Sequence, residues 1–250
     1  MRHRFLLSAI AGLLALLPGA PASAAETRVA VAANFTEPAK AIAAAFEKKT
    51  GHVATLSFGS SGQFYAQIAS GAPFEVFLSA DAERPQKAEA DGLAVPQTRF
   101  TYATGRIVLW STTAGLVDSR GAVLSRGTFR KLAIADPKTA PYGVAAVETL
   151  RKLKLYDRLA PKLVTGTSIT QAYQFVDTGA AEVGFVALSQ VVGHARGSRW
   201  LVPAADHTPI HQQAVLLKTG AANPAARAFL DFLKTPQAKA IIRRYGYEAP

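Results

Sequence analysis

The stretch SFGSSGQFYAQI, residues 57–68, runs from an apolar strand into a Gly/Ser loop that opens a helix. The free N–H groups and the positive dipole end of a helix attract anions. Gly59 and Gly62 let the backbone approach a ligand closely, Ser60 and Ser61 add hydroxyl donors, and the loop has no Lys or Arg. The same pattern is also typical of a plain helix cap, so the loop alone leaves both interpretations open.

The N-terminus has the pattern of a secretory signal peptide, which we place at residues 1–24. Arg2 and Arg4 precede an apolar run over residues 5–17, and small residues at 22–24 indicate cleavage near Ala24. The run is too short for a permanent membrane anchor. The chain has no cysteine, which excludes disulfides, thiolate metal sites and a lipid-bearing cysteine. We therefore expect an exported, soluble protein of the periplasm.

The chain is basic, with a formal net charge of +11, of which +9 remains once residues 1–24 are removed. The Lys and Arg residues are spread over helix ends and loops, and no basic stripe interleaved with aromatic residues occurs. We therefore expect no nucleic-acid partner. The charge favours a solvated surface whose field attracts small anions.

Short apolar strands alternate with amphipathic helices along the rest of the chain. Strands are predicted at residues 28–32, 53–58, 74–79, 106–110, 131–135, 183–187 and 213–218. The alternation is typical of an α/β fold with mainly parallel sheets flanked by helices, and the length suits two lobes. Chain crossings near Gly105 and at residues 203–209 give one lobe from 25–104 plus 212–250 and a second from 105–211, with a ligand cleft between them.

One arrangement occurs four times: a strand, a loop of small or polar residues, and a helix start. The four examples are residues 29–38, the Ser60–Ser61 loop, residues 133–143 and residues 165–170. Ligands of open α/β sheets bind at the carboxyl ends of the strands, where such loops gather. Two helix starts from each lobe can therefore face one cleft.

Five segments occur in a distinctive order: VAANFT at 31–36, FGSSG at 58–62, GAPFEVFLSAD at 71–81, DP at 136–137 with APYG at 140–143, and FL, PQA and RYG at 229–230, 236–238 and 244–246. In this order and spacing they resemble the periplasmic molybdate-binding proteins of molybdate ABC importers, which have the two-lobed type II periplasmic binding fold. The resemblance covers essentially the whole chain after the signal peptide. It implies binding of molybdate, and usually tungstate, for delivery to a membrane permease.

The resemblance also implies a set of ligand residues. The oxyanion site falls on Asn34, Ser61, Tyr142 and Ile169, with Ala33 and Ser60 as secondary candidates. Asn34 stands where several members have Ser, and both can donate a hydrogen bond. Ser61 offers its hydroxyl and N–H, and Ile169 its backbone N–H. Molybdenum is expected only inside the oxyanion, without direct protein ligands, and no cofactor or catalysis is expected of a protein that acts as a monomer.

The chain departs from part of the family at Ala187, because some members have a ligating tyrosine there. Another branch has Asn in the first loop and Tyr in the third, as this chain does, so Tyr142 can replace the missing phenol. The sequence leaves open whether Tyr142 donates its hydroxyl or only its backbone N–H.

Two alternatives remain. Sulfate or another oxyanion would suit neutral donors as well as molybdate does, because molybdate, tungstate and sulfate are all tetrahedral dianions and only cavity size can separate them. An exported hydrolase would need Ser61 as nucleophile, yet the GSSG loop is not a Gly-x-Ser-x-Gly elbow and has no evident His and Asp partners.

Other polar residues have simpler interpretations than catalysis. His207 and His211 have a metal-binding spacing for a helix, but Pro209 lies between them, which favours solvated loop residues. Asp81 and Asp136 end strands and are interpreted as loop caps or hydrogen-bond partners between the lobes.

Overall fold

The computed structural model describes residues 24–250, so the predicted signal peptide lies outside the described residues except for Ala24. The strands are β1 (Glu26–Ala32), β2 (Val53–Gly59), β3 (Val76–Ser79), β4 (Phe100–Gly105), β5 (Ile107–Ser111), β6 (Leu132–Ala135), β7 (Leu163–Gly166), β8 (Val183–Ala187), β9 (Ser198–Leu201) and β10 (Ile210–Leu216). The helices are α1 (Thr36–Thr50), α2 (Ser61–Ala69), α3 (Glu83–Ala90), α4 (Val123–Arg126), α5 (Pro141–Lys152), α6 (Tyr156–Leu159), α7 (Ile169–Asp177), α8 (Leu188–Val191), α9 (Pro224–Leu233) and α10 (Pro236–Arg244).

The strands form two five-stranded sheets of the same design, in the orders β2-β1-β3-β10-β4 and β7-β6-β8-β5-β9. In the first sheet β1 pairs in parallel with β2 and β3, and β10 runs antiparallel to β3 and β4. The second sheet repeats this pattern, with β6 at the parallel centre and β5 as the reversed strand. In each sheet, four strands therefore run in one direction and the fifth runs the opposite way. This confirms the predicted α/β fold of two lobes.

Three strands escaped the sequence prediction, and all three lie at the edges of sheets: β4, β7 and β9. Edge strands are short and carry polar residues, because half of their backbone faces solvent and a long apolar edge would invite aggregation. The sequence FTYATG of β4 shows this composition. Edge strands thus lack the continuous apolar run that marks the central strands β6 and β8.

Each lobe has its own core. In β1, Val29 and Val31 face a cluster that includes Phe46 of α1 and Phe229 of α9, while Ala30 faces a separate cluster with α2 on the opposite side of the sheet. This alternation follows from the period of two along a strand. The second sheet is covered by its own cluster, which includes Phe185, fully buried in β8. Among the described helices, none is both long and apolar enough to cross a bilayer.

The chain passes from the first sheet to the second between Gly105 and Ile107, and returns between Leu201 and Ile210. The residue boundaries of the lobes, 25–104 plus 212–250 and 105–211, stay a prediction.

The two sheets place the four loops in neighbouring pairs. The parallel strands β1 and β2 end side by side, with Ala32 opposite Gly59, and lead into the 3-10 turn Ala33–Phe35 and into α2. The parallel strands β6 and β7 end with Ala135 opposite Gly166 and lead into α5 and α7. Because the carboxyl ends of parallel strands meet at one sheet edge, each lobe presents two helix starts to the cleft.

Candidate functional site

A small, buried cavity lies where the four loops meet, with about 10 Å³ of space open to the centre of a water-sized sphere. Its lining includes all six residues singled out from the sequence, which are Ala33, Asn34, Ser60, Ser61, Tyr142 and Ile169. Each of them is at most 6 % exposed. Among the described residues that line the cavity, none carries a formal charge.

Backbone N–H groups are the first donors of this site. Ser61 and Ile169 are the first residues of α2 and α7, Tyr142 is the second residue of α5, and Asn34 lies within a 3-10 turn. N–H groups in the first turn of a helix have no intrahelical acceptor. Three α-helices therefore direct their positive ends at one buried point, which favours an anion there.

Local sequence explains why these helices start where they do. Pro141 occupies the first turn of α5, where its missing N–H costs no hydrogen bond. Gly143 follows because a Cβ there would overlap the carbonyl of Ala135, so α5 packs directly onto the end of β6. At α7, Ser168 is the N-cap, and its hydroxyl accepts the Gln171 N–H at 3.3 Å.

The Ser61 side chain is held in place by the loop after β3. Its hydroxyl oxygen accepts a 2.9 Å hydrogen bond from the Ala80 N–H. A serine hydroxyl accepts and also donates one hydrogen, so the Ser61 O–H stays available as a donor. No histidine is among its hydrogen-bond partners in the described residues, and its geometry is that of a fixed donor.

Ser60 is the least expected feature of the site. It is the N-cap residue of α2, yet its hydroxyl makes no capping hydrogen bond. The hydroxyl oxygen is buried and has no hydrogen-bond partner among the described residues. Buried polar atoms are nearly always satisfied. An unsatisfied hydroxyl in the cavity wall is thus a candidate donor to a bound ligand.

The Asn34 side chain turns to other partners. Its amide nitrogen donates to Gln212 Oε1 at 2.9 Å and to the Tyr247 hydroxyl at 2.9 Å. Since an amide nitrogen carries two hydrogens, both are in use. The donor that Asn34 leaves for the cavity is its backbone N–H.

The Tyr142 hydroxyl lies in the same buried region. It accepts a hydrogen bond from Gln212 Nε2 at 3.3 Å and rests against Gly105, where a Cβ would overlap it. Burial raises the pKa of Tyr142 well above its usual value, with Tyr247 adding to the effect, so the phenol is neutral at physiological pH. The Tyr142 side chain thus joins a polar network, whereas its backbone N–H lies in the first turn of α5.

The residues of this network were missed by the sequence analysis. Tyr102, Ser189, Gln212 and Tyr247 are all buried and hydrogen-bonded around Asn34 and Tyr142. They come from distant parts of the chain, so no spacing joins them. The one available signal was Gln212, a polar residue at an inward position of β10.

The two lobes are joined at the rim of the cavity. The Gly62 N–H donates to the Thr139 carbonyl oxygen at 2.9 Å. The Thr170 hydroxyl donates to the Ala33 carbonyl oxygen at 3.4 Å on the other side. Both hydrogen bonds would be lost if the lobes moved apart, so they favour a closed cleft.

The competing residues take structural roles. Asp81 accepts the Arg84 N–H at 2.9 Å and pairs with the Arg84 guanidinium, and Asp136 accepts the Lys138 N–H at 2.9 Å, so both cap loops. His207 bonds the neighbouring Thr208 carbonyl at 2.8 Å, and His211 lies in β10. Within residues 24–250, no cluster of three His, Cys, Asp or Glu side chains is arranged to hold a metal ion.

Comparison with known proteins shows what the chain resembles. Residues 27–248 match the family model of bacterial extracellular solute-binding proteins. The chain is 61 % identical over 243 residues to molybdate-binding protein ModA of Rhodobacter capsulatus, covering 96 % of each chain. It is 55 % identical over 247 residues to that of Azotobacter vinelandii, covering 98 % of this chain and 96 % of the relative.

Solved structures agree in fold. The periplasmic molybdate-binding protein of Azotobacter vinelandii superposes with a TM-score of 0.87 at 44 % identity, covering 90 % of this chain and 99 % of that one. The sulfate-binding protein SubI of Mycobacterium tuberculosis superposes with a TM-score of 0.76 at 15 % identity, which shows the shared fold alone.

Proposed function

Because this chain belongs to the bacterial extracellular solute-binding proteins and, within them, to the molybdate-binding proteins, we propose that it binds molybdate and delivers it to the permease of an ABC importer. The observation that carries the proposal is the uncharged, buried cavity at which three α-helix N-termini and a 3-10 turn converge. An oxyanion taken from water into such a cavity recovers hydrogen bonds from neutral donors.

The donors are assigned as follows. The backbone N–H groups of Asn34, Ser61, Tyr142 and Ile169 bind the oxyanion from both lobes, together with the hydroxyl of Ser61. The unsatisfied hydroxyl of Ser60 and the Ala33 backbone complete the set. Tyr142 offers its backbone N–H, and its hydroxyl, which accepts from Gln212, still has an O–H to donate. Backbone N–H groups can only donate, so they favour a fully deprotonated oxyanion. The O–H of a protonated oxyanion would point at another donor and find no acceptor.

Release needs the cleft to open. We propose that the lobes, 25–104 with 212–250 and 105–211, move about the two crossings next to Gly105 and at residues 202–209. Neutral donors suit this cycle, because no buried Lys or Arg has to lose its counterion when the anion leaves. The protein performs no chemistry on the ion and needs no cofactor.

Tungstate is proposed as a second ligand because it shares the charge and tetrahedral shape of molybdate. The working form is a monomer in the periplasm, produced by removal of a signal peptide near Ala24.

A thermal-shift series on residues 25–250 with molybdate, tungstate, sulfate and phosphate tests the proposal. Ligand bound to the native state raises the unfolding temperature by mass action. We expect a large rise with molybdate and tungstate and a small one or none with the other two. A rise with sulfate alone would assign the protein to sulfate binding, and no rise with any oxyanion would refute the proposal.

A further inference from the structure

Behind the cavity, six buried side chains from both lobes form one hydrogen-bonded network. Its members are Asn34, Tyr102, Tyr142, Ser189, Gln212 and Tyr247. Only Asn34 and Tyr142 also line the cavity. The network therefore lies one layer behind the proposed ligand donors.

Gln212 joins three members of the network, two in its own predicted lobe and one in the other. Its side chain is fully buried in β10. Its Oε1 accepts from Asn34 Nδ2 at 2.9 Å and from the Tyr102 hydroxyl at 3.0 Å. Its Nε2 donates to the Tyr142 hydroxyl at 3.3 Å. One amide thus links the loop after β1 in one lobe to the start of α5 in the other.

The peptide unit of Asn34 is held from behind as well. Its carbonyl oxygen accepts from the Tyr247 hydroxyl at 2.7 Å and from the Ser189 hydroxyl at 2.8 Å. With the side-chain amide bonded to Gln212 and Tyr247, rotation of this residue would break several hydrogen bonds at once. The network therefore anchors Asn34 through both its side chain and its carbonyl oxygen.

The backbone gives Gln212 the room for these contacts. Gly105, at the crossing between the sheets, lies so close that a Cβ there would overlap both Gln212 Nε2 and the Tyr142 hydroxyl. An amide at a fully buried strand position is uncommon, and it is stable only when its polar atoms have partners.

We propose that Gln212 is a positioning residue of the anion site. It fixes the distance between the turn that contains Asn34 and the start of α5 at Tyr142, and it does not touch the anion. The inference rests on the proposed function, because it concerns the same cavity. In this proposal, the Gln212 side chain of β10 connects the loop of Asn34 in one lobe to the start of α5 in the other.

Gln212→Leu tests the proposal, with Gln213→Leu as a matched control. Gln213 is the next residue of the same strand and is also hydrogen-bonded, to Arg99 at 2.8 Å and to Thr101 at 3.2 Å. Neither of these partners belongs to the loop of Asn34 or to the start of α5. Molybdate affinity is measured by titration calorimetry, and the unfolding temperature of each ligand-free variant is recorded. We expect Gln212→Leu to lose about tenfold or more in affinity and Gln213→Leu to stay within about twofold of the wild type.

Gln212→Glu tests the positioning role through the pH dependence of molybdate affinity, which a purely structural role would leave unchanged. The groups that face this side chain and can titrate are Tyr102, Tyr142 and Tyr247, whose pKa values burial raises, so they stay neutral near pH 7. An ionised carboxylate at position 212 repels a bound dianion and cannot donate to Tyr142, whereas the protonated acid can. We expect the affinity of this variant, relative to the wild type in the same buffers, to rise as the pH falls.

The outcomes separate the two proposals. A wild type that does not bind molybdate refutes the proposed function and this inference with it. A binding wild type with unchanged affinity in Gln212→Leu, or with equal losses in Gln212→Leu and Gln213→Leu, refutes the inference alone. If Gln212→Leu does not fold, Gln212→Glu decides the matter. A molybdate affinity that changes with pH in Gln212→Glu as it does in the wild type would then refute the inference.

Discussion

The Gly62 N–H donates a 2.9 Å hydrogen bond to the carbonyl oxygen of Thr139, and this bond joins the two lobes beside the cavity. A Cβ on residue 62 would lie 3.0 Å from both the Cα and the carbonyl oxygen of Thr139. The second glycine of the GSSG loop is therefore explained by the approach of the other lobe. Gly62 therefore serves the closure of the cleft.

Gly62→Ala is expected to weaken molybdate binding, because the added methyl group obstructs the closed state. The cost of overpacking a close contact is about 1–3 kcal/mol, and it appears as faster dissociation of the ion. Stopped-flow release measures the rate. Gly193→Ala is the control, since a Cβ there meets no atom within 4 Å. Equal release rates for Gly62→Ala and the wild type would show that closure does not need this contact.

Ser61→Ala is expected to reduce molybdate affinity by about 1–3 kcal/mol, because it removes a hydroxyl donor from a buried, charge-assisted hydrogen bond. It also leaves the Ala80 N–H without its acceptor, so a modest loss of stability accompanies the loss of affinity. Calorimetric titration checks the first effect and thermal unfolding the second. Ser125→Ala, at an exposed serine of α4, is the control. Wild-type affinity in Ser61→Ala would remove Ser61 from the site.

Ser60→Ala is expected to weaken molybdate binding without lowering the stability of the ligand-free protein. In the ligand-free protein the substitution removes a buried hydroxyl without a partner, so stability stays equal or rises. With molybdate, the loss of that donor weakens binding. Thermal unfolding with and without the ion gives both values for one variant. A lower unfolding temperature without ligand would mean that Ser60 already has a partner in the empty protein.

Glu182 is expected to stabilise the fold in a pH-dependent way. The Arg130 guanidinium at 2.8 Å, aided by the Lys131 N–H, lowers the pKa of Glu182 to about 2. Because the pKa is lower in the folded state than in the unfolded chain, the stabilisation is complete above the unfolded value near 4.5 and disappears as the pH falls toward 2.

Denaturant unfolding of Glu182→Gln against the wild type measures this effect. The difference in the free energy of unfolding should be present at neutral pH and shrink in acid, whereas Glu47→Gln on the exposed surface of α1 should show little change. A difference that is constant from neutral to acid pH would contradict the assignment.

The sequence predicted the central strands and the loop cluster because both leave local signals. Apolar runs such as Leu132–Ala135 mark buried strands, and Gly, Ser and Pro residues after them mark helix starts. The rule that such loops meet at the carboxyl ends of strands then predicted one cleft, and the structure places Asn34, Ser61, Tyr142 and Ile169 around one cavity.

Atomic detail of the site was beyond the sequence, because it depends on contacts between distant residues. Nothing local distinguishes Asn34 with a free amide from Asn34 bonded to Gln212 and Tyr247, which are 178 and 213 residues away. The uncapped hydroxyl of Ser60 is likewise invisible, since serine before a helix normally caps it. Edge strands such as β9 were not predicted because their sequences contain too few apolar residues to mark a strand.

We propose that neutral donors in one buried cavity hold a single oxyanion. Titration of residues 25–250 with molybdate at low and high salt, in the presence of excess sulfate, tests it most directly. A buried site is screened little by salt, whereas attraction to a basic surface weakens steeply. We expect one ion per chain, bound with an affinity nearly unchanged by salt and by sulfate. Absent binding, or binding of several ions that disappears at high salt, would contradict it.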